Sequence, residues 1–401
     1  MFKLAWKNIL RNKRRSILSA SAIFLAVVFV AAMLSLYEGM IQDMKNNVIN
    51  HQLGNLNIKT KQYIENERIL PLQFYIDNVD EKMKIINQID GVTSTTSVTK
   101  IPSMTFLGEE SYNVIVYGTD FDTTRFFNLG ILNAGEFPTS SKQVVISSKL
   151  ADEMNIGVGD AFTFLSKTAI GGSNALGISV SGIYSSNNMD MNNLNFFISN
   201  EQLSKTLRMV NGATEIFVYT DSTVTPSEVE QVLGDSNLSV KDWKDDSLIG
   251  QMIDLIAIIY GFIQVIFLLF ASTIILNTTM MSIIERKREI ATLVALGYSP
   301  HWVRRLFLLE TGLLTLFASL LGSVVGGIFI LILNKTGLDM VAMGGGSVSG
   351  YAMSSYIYPF LPFKNYIYLI IVAILISTLT CYFPTKKILK IQPAKALHDE
   401  T

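Results

Sequence analysis

Four stretches of the chain, 17–37, 255–284, 311–334 and 365–383, contain no charged side chain. Each is long enough to cross the hydrocarbon core of a bilayer, which takes about 20 apolar residues as a helix. The second is longer than a bilayer needs, so part of it is expected to project as a helical stalk. Between the first two lies a polar segment of different rhythm. Its runs NLNIKT, YNVIVYGTDF, QVVISS, AFTFLS, GISVSGIY, NFFIS and EIFVYT are rich in Val, Ile, Phe and Tyr, several with period-two alternation, and predict strands. DEKMKIINQI, SSKLADEM, NEQLSKTL and TPSEVEQVLG have helical spacing, the last opening on Thr225 and Pro226 as N-cap and N1. The fold class predicted is an α-helical membrane protein with four transmembrane helices and a large α+β extracytoplasmic domain inserted between helices 1 and 2.

Composition agrees: 49% of the 401 residues are hydrophobic and 16% charged, too apolar for an ordinary soluble chain of this length. Charge then sets the orientation. Lys3, Lys7, Arg11, Lys13, Arg14 and Arg15 precede the first span; Arg286, Lys287, Arg288, Arg304 and Arg305 separate the second and third; Lys386, Lys387, Lys390 and Lys395 follow the fourth. By the positive-inside rule these three regions, with both termini, belong in the cytoplasm. The first span reads as a retained anchor, since no small-residue cleavage site follows it. A net charge of −1, with its basic residues where topology requires them, gives no sign of nucleic-acid binding. The single cysteine, Cys381, falls in the fourth span, so the outer segment is expected to be held by its own core.

Three smaller patterns add detail. Phe2, Trp6, Ile9 and Leu10 share one face of an N-terminal helix and Lys3, Lys7, Arg11 and Arg14 the other, a pattern suited to the membrane interface. In the third span, Ala318, Gly322 and Gly326 allow close helix packing, within one chain or between two. In the cytoplasmic loop, Ile290, Leu293, Val294 and Leu296 form an apolar stripe of about two turns, Gly297 is placed to stop the helix, and Ser299 and Pro300 to start the next. That stripe must rest on the membrane interface or on a partner.

Catalytic chemistry is not apparent. There is no Gly-Lys dipeptide and so no Walker-type phosphate loop. His51, His301 and His398 are scattered, without metal-ligand spacing. GVGD, at 157–160, reads as a turn. The spans contain no carboxylate for a proton relay.

The blocks KLAWKNILRNKRRS, ERKREIATLVALGYSPHWVRRLFLLE and PTKKILKIQPAKALHDE, with LGNLNI and NAGEFPTSSKQVVISSKLADEMNIGVGDAF in the outer segment, resemble signatures of the FtsX/MacB-type (type VII) ABC transporter permeases, most like the LolC/LolE lipoprotein-release branch. The resemblance implies a domain plan: an amphipathic helix at 1–16, spans at 17–41, 251–284, 304–334 and 365–385, a periplasmic core domain at 42–250, a coupling helix at 285–303, an outer loop at 335–364 and a cytoplasmic tail at 386–401. It implies that Glu285, Arg286, Glu289, Ile290, Leu293, Gly297 and Ser299 form or shape the contact with a separate ABC ATPase dimer, which would bind the ATP and Mg; this chain would need no cofactor or metal. By the same resemblance the chain pairs with a second copy or a sister permease in the bacterial inner membrane. It would move its periplasmic domain by mechanotransmission, releasing lipoproteins to a periplasmic carrier. Phe262, Ile263, Phe267 and Phe270 would then be available to acyl chains. The alternatives within the family are MacB-like efflux of peptides, toxins or drugs and FtsX-like signalling.

Overall fold

The computed structural model describes residues 1–11, 13–121, 130–186, 191–221, 224–246, 248–339, 342, 354 and 356–386; the glycine-rich run at 344–350 and the tail beyond 386 lie outside them. The chain divides into two compact units. One is made of Met1–Ile41, Leu255–Leu338 and Ile357–Thr401, the other of Gln42–Asp254 with Asp339–Tyr356.

The chain opens on two helices, α1 (Phe2–Arg11) and α2 (Lys13–Val48). On α1 the protein-facing side is Ala5 and Asn8, while Phe2, Trp6 and Leu10 remain 64, 38 and 52% exposed. The apolar stripe seen in the sequence therefore stays uncovered, apart from the Trp6 ring 5.2 Å from that of Phe317.

The second unit contains, in order, β1 (Leu56–Thr60), α3 (Lys61–Glu65), α4 (Val79–Ile86), β2 (Val92–Leu107), β3 (Glu110–Thr119), β4 (Gly130–Gly135), β5 (Gln143–Ser147), α5 (Ser148–Met154), β6 (Ala161–Lys167), β7 (Ser173–Ser186), β8 (Asn195–Ser199), α6 (Asn200–Leu207), β9 (Glu215–Thr220), α7 (Pro226–Leu233), β10 (Leu238–Asp242) and α8 (Trp243–Asp246). The strands form one sheet in the order β10-β1-β9-β2-β3-β8-β5-β7-β4, with β6 pairing both β2 and β7. β3–β8 and β5–β7 run parallel; β1–β9 and β2–β3 are among the antiparallel pairs. All seven strand runs and all four helical runs of the sequence appear. α5 and α7 start on Ser147 and Thr225, whose hydroxyls accept the N–H of Leu150 and Glu228.

Alternation along the strands separates the cores. Ile216 and Val218 join Leu56, Ile58, Val79, Ile86 and Val229 under α4 and α7. Val144, Ile146, Phe196 and Ile198 join Leu150, Leu203 and Leu207 under α5 and α6. The intervening residues Val145, Phe197, Phe217 and Tyr219 point the other way, into a third cluster with Tyr117 and Tyr184.

β2 escapes a hydrophobic reading because it buries Thr95, Thr96, Ser97 and Thr99, and because it contains Pro102. The Lys100 N–H donates to Thr214 Oγ1 on the β9 side. Pro102, two residues on, turns its nitrogen to that same side, where pairing with β9 ends at Val98 and pairing with β6 begins at Met104. A proline is tolerated there because no partner needs its N–H. β4 and β10 are likewise additions to the sequence reading.

A buried ion cluster ties the ends of this unit together. Lys59, 1% exposed, donates from Nζ to Glu67 Oε1 and Asp246 Oδ2 at 2.7 Å each and lies 3.6 Å from Glu215 Oε2. Asn57 Nδ2 donates to Glu215 Oε2 at 2.7 Å. Burial alone pushes the Lys59 ammonium down, but the Glu215, Asp246 and Glu67 carboxylates outweigh it and hold its pKa above the usual lysine value.

The remaining helices are α9 (Leu248–Glu285), α10 (Lys287–Ala295), α11 (Pro300–Thr336) and α12 (Phe363–Thr385). Among the described residues three helical stretches are long and apolar enough to cross a membrane: Ser16–Leu53, Pro300–Thr336 and Phe363–Thr385. α9 is one continuous helix of 38 residues with an apolar stretch at Met252–Phe267. The helix carrying the third span begins at Pro300, where Ser299 and Pro300 predicted a start, and continues through the basic residues Arg304 and Arg305 into the span.

Gly322 lies against α2 of the same chain: a Cβ there would sit 3.0 Å from the Phe24 carbonyl oxygen and 3.1 Å from Val27. Ala318 packs with Ile23 and Val27. At Gly326 the added Cβ would meet Ala31 at an ordinary 3.5 Å. Gly322→Leu is therefore expected to cost about 1–3 kcal/mol by overpacking, whereas Gly261→Leu, with nothing within 4 Å, is expected to be neutral. Thermal unfolding in detergent, followed by dye labelling of the sole and fully buried thiol of Cys381, is the check; equal midpoints for the two variants would refute this packing.

Candidate functional site

The loop joining α9 to α11 is built from local signals. α9 ends at Glu285, Arg286 leaves the helical region at φ −99°, ψ 14°, and α10 runs nine residues. Its end is a Schellman motif: the Tyr298 N–H donates to the Leu293 carbonyl at 3.1 Å and the Gly297 N–H to that of Val294 at 3.0 Å, with Gly297 at φ 92°. Ser299 then caps α11, its hydroxyl accepting the Trp302 N–H at 3.2 Å, and Pro300 fills N1. Stop and start fall where the sequence placed them.

The apolar stripe has a different destination from the one expected. Ile290, 2% exposed, packs with Ile283 at the end of α9 and with Val303 and Phe307 on α11, and Leu293 and Val294 lie against the same cluster. Ile290, Leu293 and Val294 of the stripe rest on this chain's own helices, while Leu296 stays exposed. Two further turns of apolar surface, contributed by α11, were out of reach of the sequence reading. Ile290 and Leu293 thus hold α10 in place, while the outward residues are Glu285, Arg288, Glu289, Thr292, Gly297 and Ser299, together with Leu296 and Tyr298 at 72 and 42% exposed.

Arg286 is buried, 9% exposed, and its Nη1 donates to both oxygens of Glu310 on α11, at 3.0 and 3.3 Å. Its Nε donates to Glu289 Oε2 at 3.0 Å, and the guanidinium lies 5.2 Å from the Phe307 ring centre. Glu289 in turn accepts from Arg11 on α1. One chain of charge, Arg11–Glu289–Arg286–Glu310, therefore joins α1, α10 and α11. Glu310 is the residue sequence reasoning missed. It stands one position before an apolar run and is the only acid in the first three turns of α11, a weak signal that gains meaning once Arg286 is found opposite.

Of the aromatic set on α9, Phe262 and Phe270 are 68 and 65% exposed. Phe267 turns inward to the Phe29 ring of α2 at 4.3 Å, and Ile263 is half-buried. The GVGD segment is a turn in which the Gly157 N–H donates to Asp160 Oδ2 at 2.8 Å.

With this geometry in place, comparison with known proteins gives the family. Residues 16–235 match the MacB-like periplasmic core domain and residues 261–393 the FtsX-like permease C-terminal domain. The chain belongs to the FtsX/MacB-type ABC transporter permeases. Its curated relatives include an uncharacterized ABC transporter permease of Methanocaldococcus jannaschii, 25% identical over 43% of this chain and 40% of the relative. Another is the ABC transporter permease YtrF of Bacillus subtilis, 25% identical over 31% and 28%. The matches span less than half of either relative. Solved structures similar to it are the periplasmic region of MacB from Actinobacillus actinomycetemcomitans (TM-score 0.37, 15% identity, 50% of this chain and 92% of that one) and the extracellular domain of YknZ from Gram-positive bacteria (TM-score 0.34, 13% identity, 47% and 99%). Family membership rests on the two matched domains.

Breaking the buried pair of this permease from one side is expected to cost far more than removing it whole. Arg286→Met leaves the Glu310 carboxylate buried and uncompensated, a loss of about 3–5 kcal/mol, and Arg286→Met with Glu310→Met recovers most of it. The Cys381 labelling midpoint measures both; a single variant no less stable than the double one would contradict the pairing.

Proposed function

We propose that this permease works with a separate ABC ATPase dimer, which binds ATP and Mg, and that the segment 285–299 receives the ATPase's movement. The observation that carries this reading is the way α10 is capped and packed. It is short, stopped and restarted by its own caps, braced from behind by Ile290 and the Arg286–Glu310 pair, and it offers Glu285, Arg288, Glu289, Leu296 and Tyr298 outward. A helix held so firmly on one side transmits a push rather than absorbing it.

In this reading α9 is the fourth crossing. At 1.5 Å per residue its 38 residues extend about 57 Å, well beyond the hydrocarbon core, so it is long enough to serve as both span and stalk. The basic flanks place both termini in the cytoplasm and the unit containing β1–β10 outside, and a second permease copy or a sister subunit completes the assembly. ATPase closure moves the stalks and so the outer domain, without a polar path through the bilayer. The cargo is an acylated lipoprotein taken from the outer leaflet and passed to a soluble carrier. This is supported by the uncovered aromatic side chains of Phe262 and Phe270 on α9, which offer apolar contact to acyl chains.

Glu289→Lys combined with Leu296→Asp is expected to abolish co-purification of the ATPase from the native host while membrane insertion is unchanged; retention of an active ATPase would disprove the docking assignment. Mass spectrometry of the wild-type complex tests the cargo. Lipoproteins or a soluble carrier support release, and a membrane-fusion adaptor or outer-membrane channel in their place would replace it with efflux.

A further inference from the structure

α11 and α12 pack side by side in opposite directions. The Thr311 hydroxyl faces Cys381 Sγ at 3.3 Å, a Cβ added at Gly312 would meet Thr378 Cγ2 at 3.6 Å, and one added at Gly327 would meet the Tyr366 hydroxyl at 3.3 Å. Two turns before Thr311, near the start of α11, Arg304 lies over the ring of Tyr382 near the end of α12, 4.9 Å from its centre. Lys386, exposed, follows Tyr382 by one helical turn.

The ring positions the Arg304 guanidinium without using its hydrogen-bonding capacity. Among the described residues nothing accepts a hydrogen bond from it, and its Nε is buried without a partner. Arg286, on the same loop, is by contrast matched by Glu289 and Glu310. A guanidinium laid on an aromatic face keeps a planar fork of N–H donors, the geometry that receives phosphate oxygens in pairs. Leaving such donors unmade at the edge of a span is unfavourable. Apolar surface begins directly beside this fork. Leu375, Leu379 and Tyr382 follow one another at four- and three-residue spacing, so they share one face of α12, and they are 60, 63 and 40% exposed.

We infer that Arg304 and Tyr382 form a binding site for an anionic phospholipid, its phosphodiester oxygens taken by the Arg304 fork and one acyl chain laid along Tyr382, Leu379 and Leu375. The apolar stripe selects a lipid over a soluble phosphate, because it continues from the fork into the span for about two turns of helix. Lys386 sits on the headgroup side, one turn nearer the helix end, and discriminates against a zwitterionic lipid, whose terminal ammonium would meet a like charge. The assignment needs only that α11 and α12 cross a bilayer, and it is independent of the ATPase and the cargo proposed above.

The test is native mass spectrometry of the whole chain released from mild detergent, titrated with dioleoylphosphatidylglycerol, dioleoylphosphatidylcholine and soluble glycerophosphoglycerol, which separate headgroup charge from acyl-chain contact. Phosphatidylglycerol is expected to bind about tenfold more tightly than phosphatidylcholine, as one charge-assisted hydrogen bond provides, and the soluble headgroup far more weakly than either. Arg304→Gln is expected to remove that preference. Arg305→Gln deletes the same charge about 100° further round α11 and is expected to leave the preference within about twofold of its original value. Tyr382→Leu, at an exposed position, takes away the ring under the guanidinium and is expected to weaken phosphatidylglycerol binding severalfold; the Cys381 labelling midpoint shows that each variant is folded. Equal affinity for the two phospholipids, equal losses at Arg304 and Arg305, a soluble headgroup bound as tightly as the lipid, or a preference untouched by both Arg304→Gln and Tyr382→Leu would each overturn the proposal.

Discussion

A domain inserted between two helices must bring its ends back together, and in this permease that closure depends on one buried ammonium. β1, just after α2, and β10, just before α8 and α9, are antiparallel neighbours, with Leu56 opposite Asp242 and Thr60 opposite Leu238. Backbone pairing alone would leave α8 loose. Lys59 on β1 reaches Asp246 on α8 and Glu67 beyond α3, beside Glu215 on β9, so entry strand, exit helix and central sheet converge on a single charge. Burying such a charge is unfavourable unless every partner is in place, which makes the arrangement specific: a slip of one residue in β1 would turn Lys59 to the other face and leave the carboxylates without it.

The cytoplasmic loop uses the same physics on a smaller scale. Its backbone is shaped by neighbours in sequence, the glycine at φ 92° and the Ser-Pro start, but its position is decided by Glu310, 24 residues from Arg286. The bond is short and shielded from water, so it positions α10 against α11 more firmly than an exposed pair at the surface. Arg11 extends the network to α1, whose uncovered Phe2, Trp6 and Leu10 sit beside basic residues. The loop is therefore linked to both its own following helix and the N-terminal helix.

Surface composition separates the two units. On α9, α11 and α12 large apolar side chains such as Leu255, Phe262, Leu321, Ile332, Phe363 and Leu379 are more than half exposed, an arrangement that water would penalise and hydrocarbon favours. In the other unit most such side chains are enclosed by the sheet and its helices, and those more than half exposed, Ile69, Ile170 and Val210, stand singly.

Residue type and spacing alone determined the elements whose causes are local. The apolar runs, the strands with period-two alternation, the caps at Thr225 and Ser299 and the stop at Gly297 each depend on residues a few positions apart, and a linear reading recovers them. The tertiary structure decided what depends on distant partners. β2 is a strand because β3, β6 and β9 bond its Thr- and Ser-rich backbone, which hydropathy cannot register. Ile290 is a brace rather than a contact surface because α11 folds back over it. Gly322 faces α2 of its own chain, a choice that a small-residue motif leaves open. Lys59 and Glu310, ordinary surface residues by type, are buried because charges far away in sequence meet them, and only the fold brings those charges within reach.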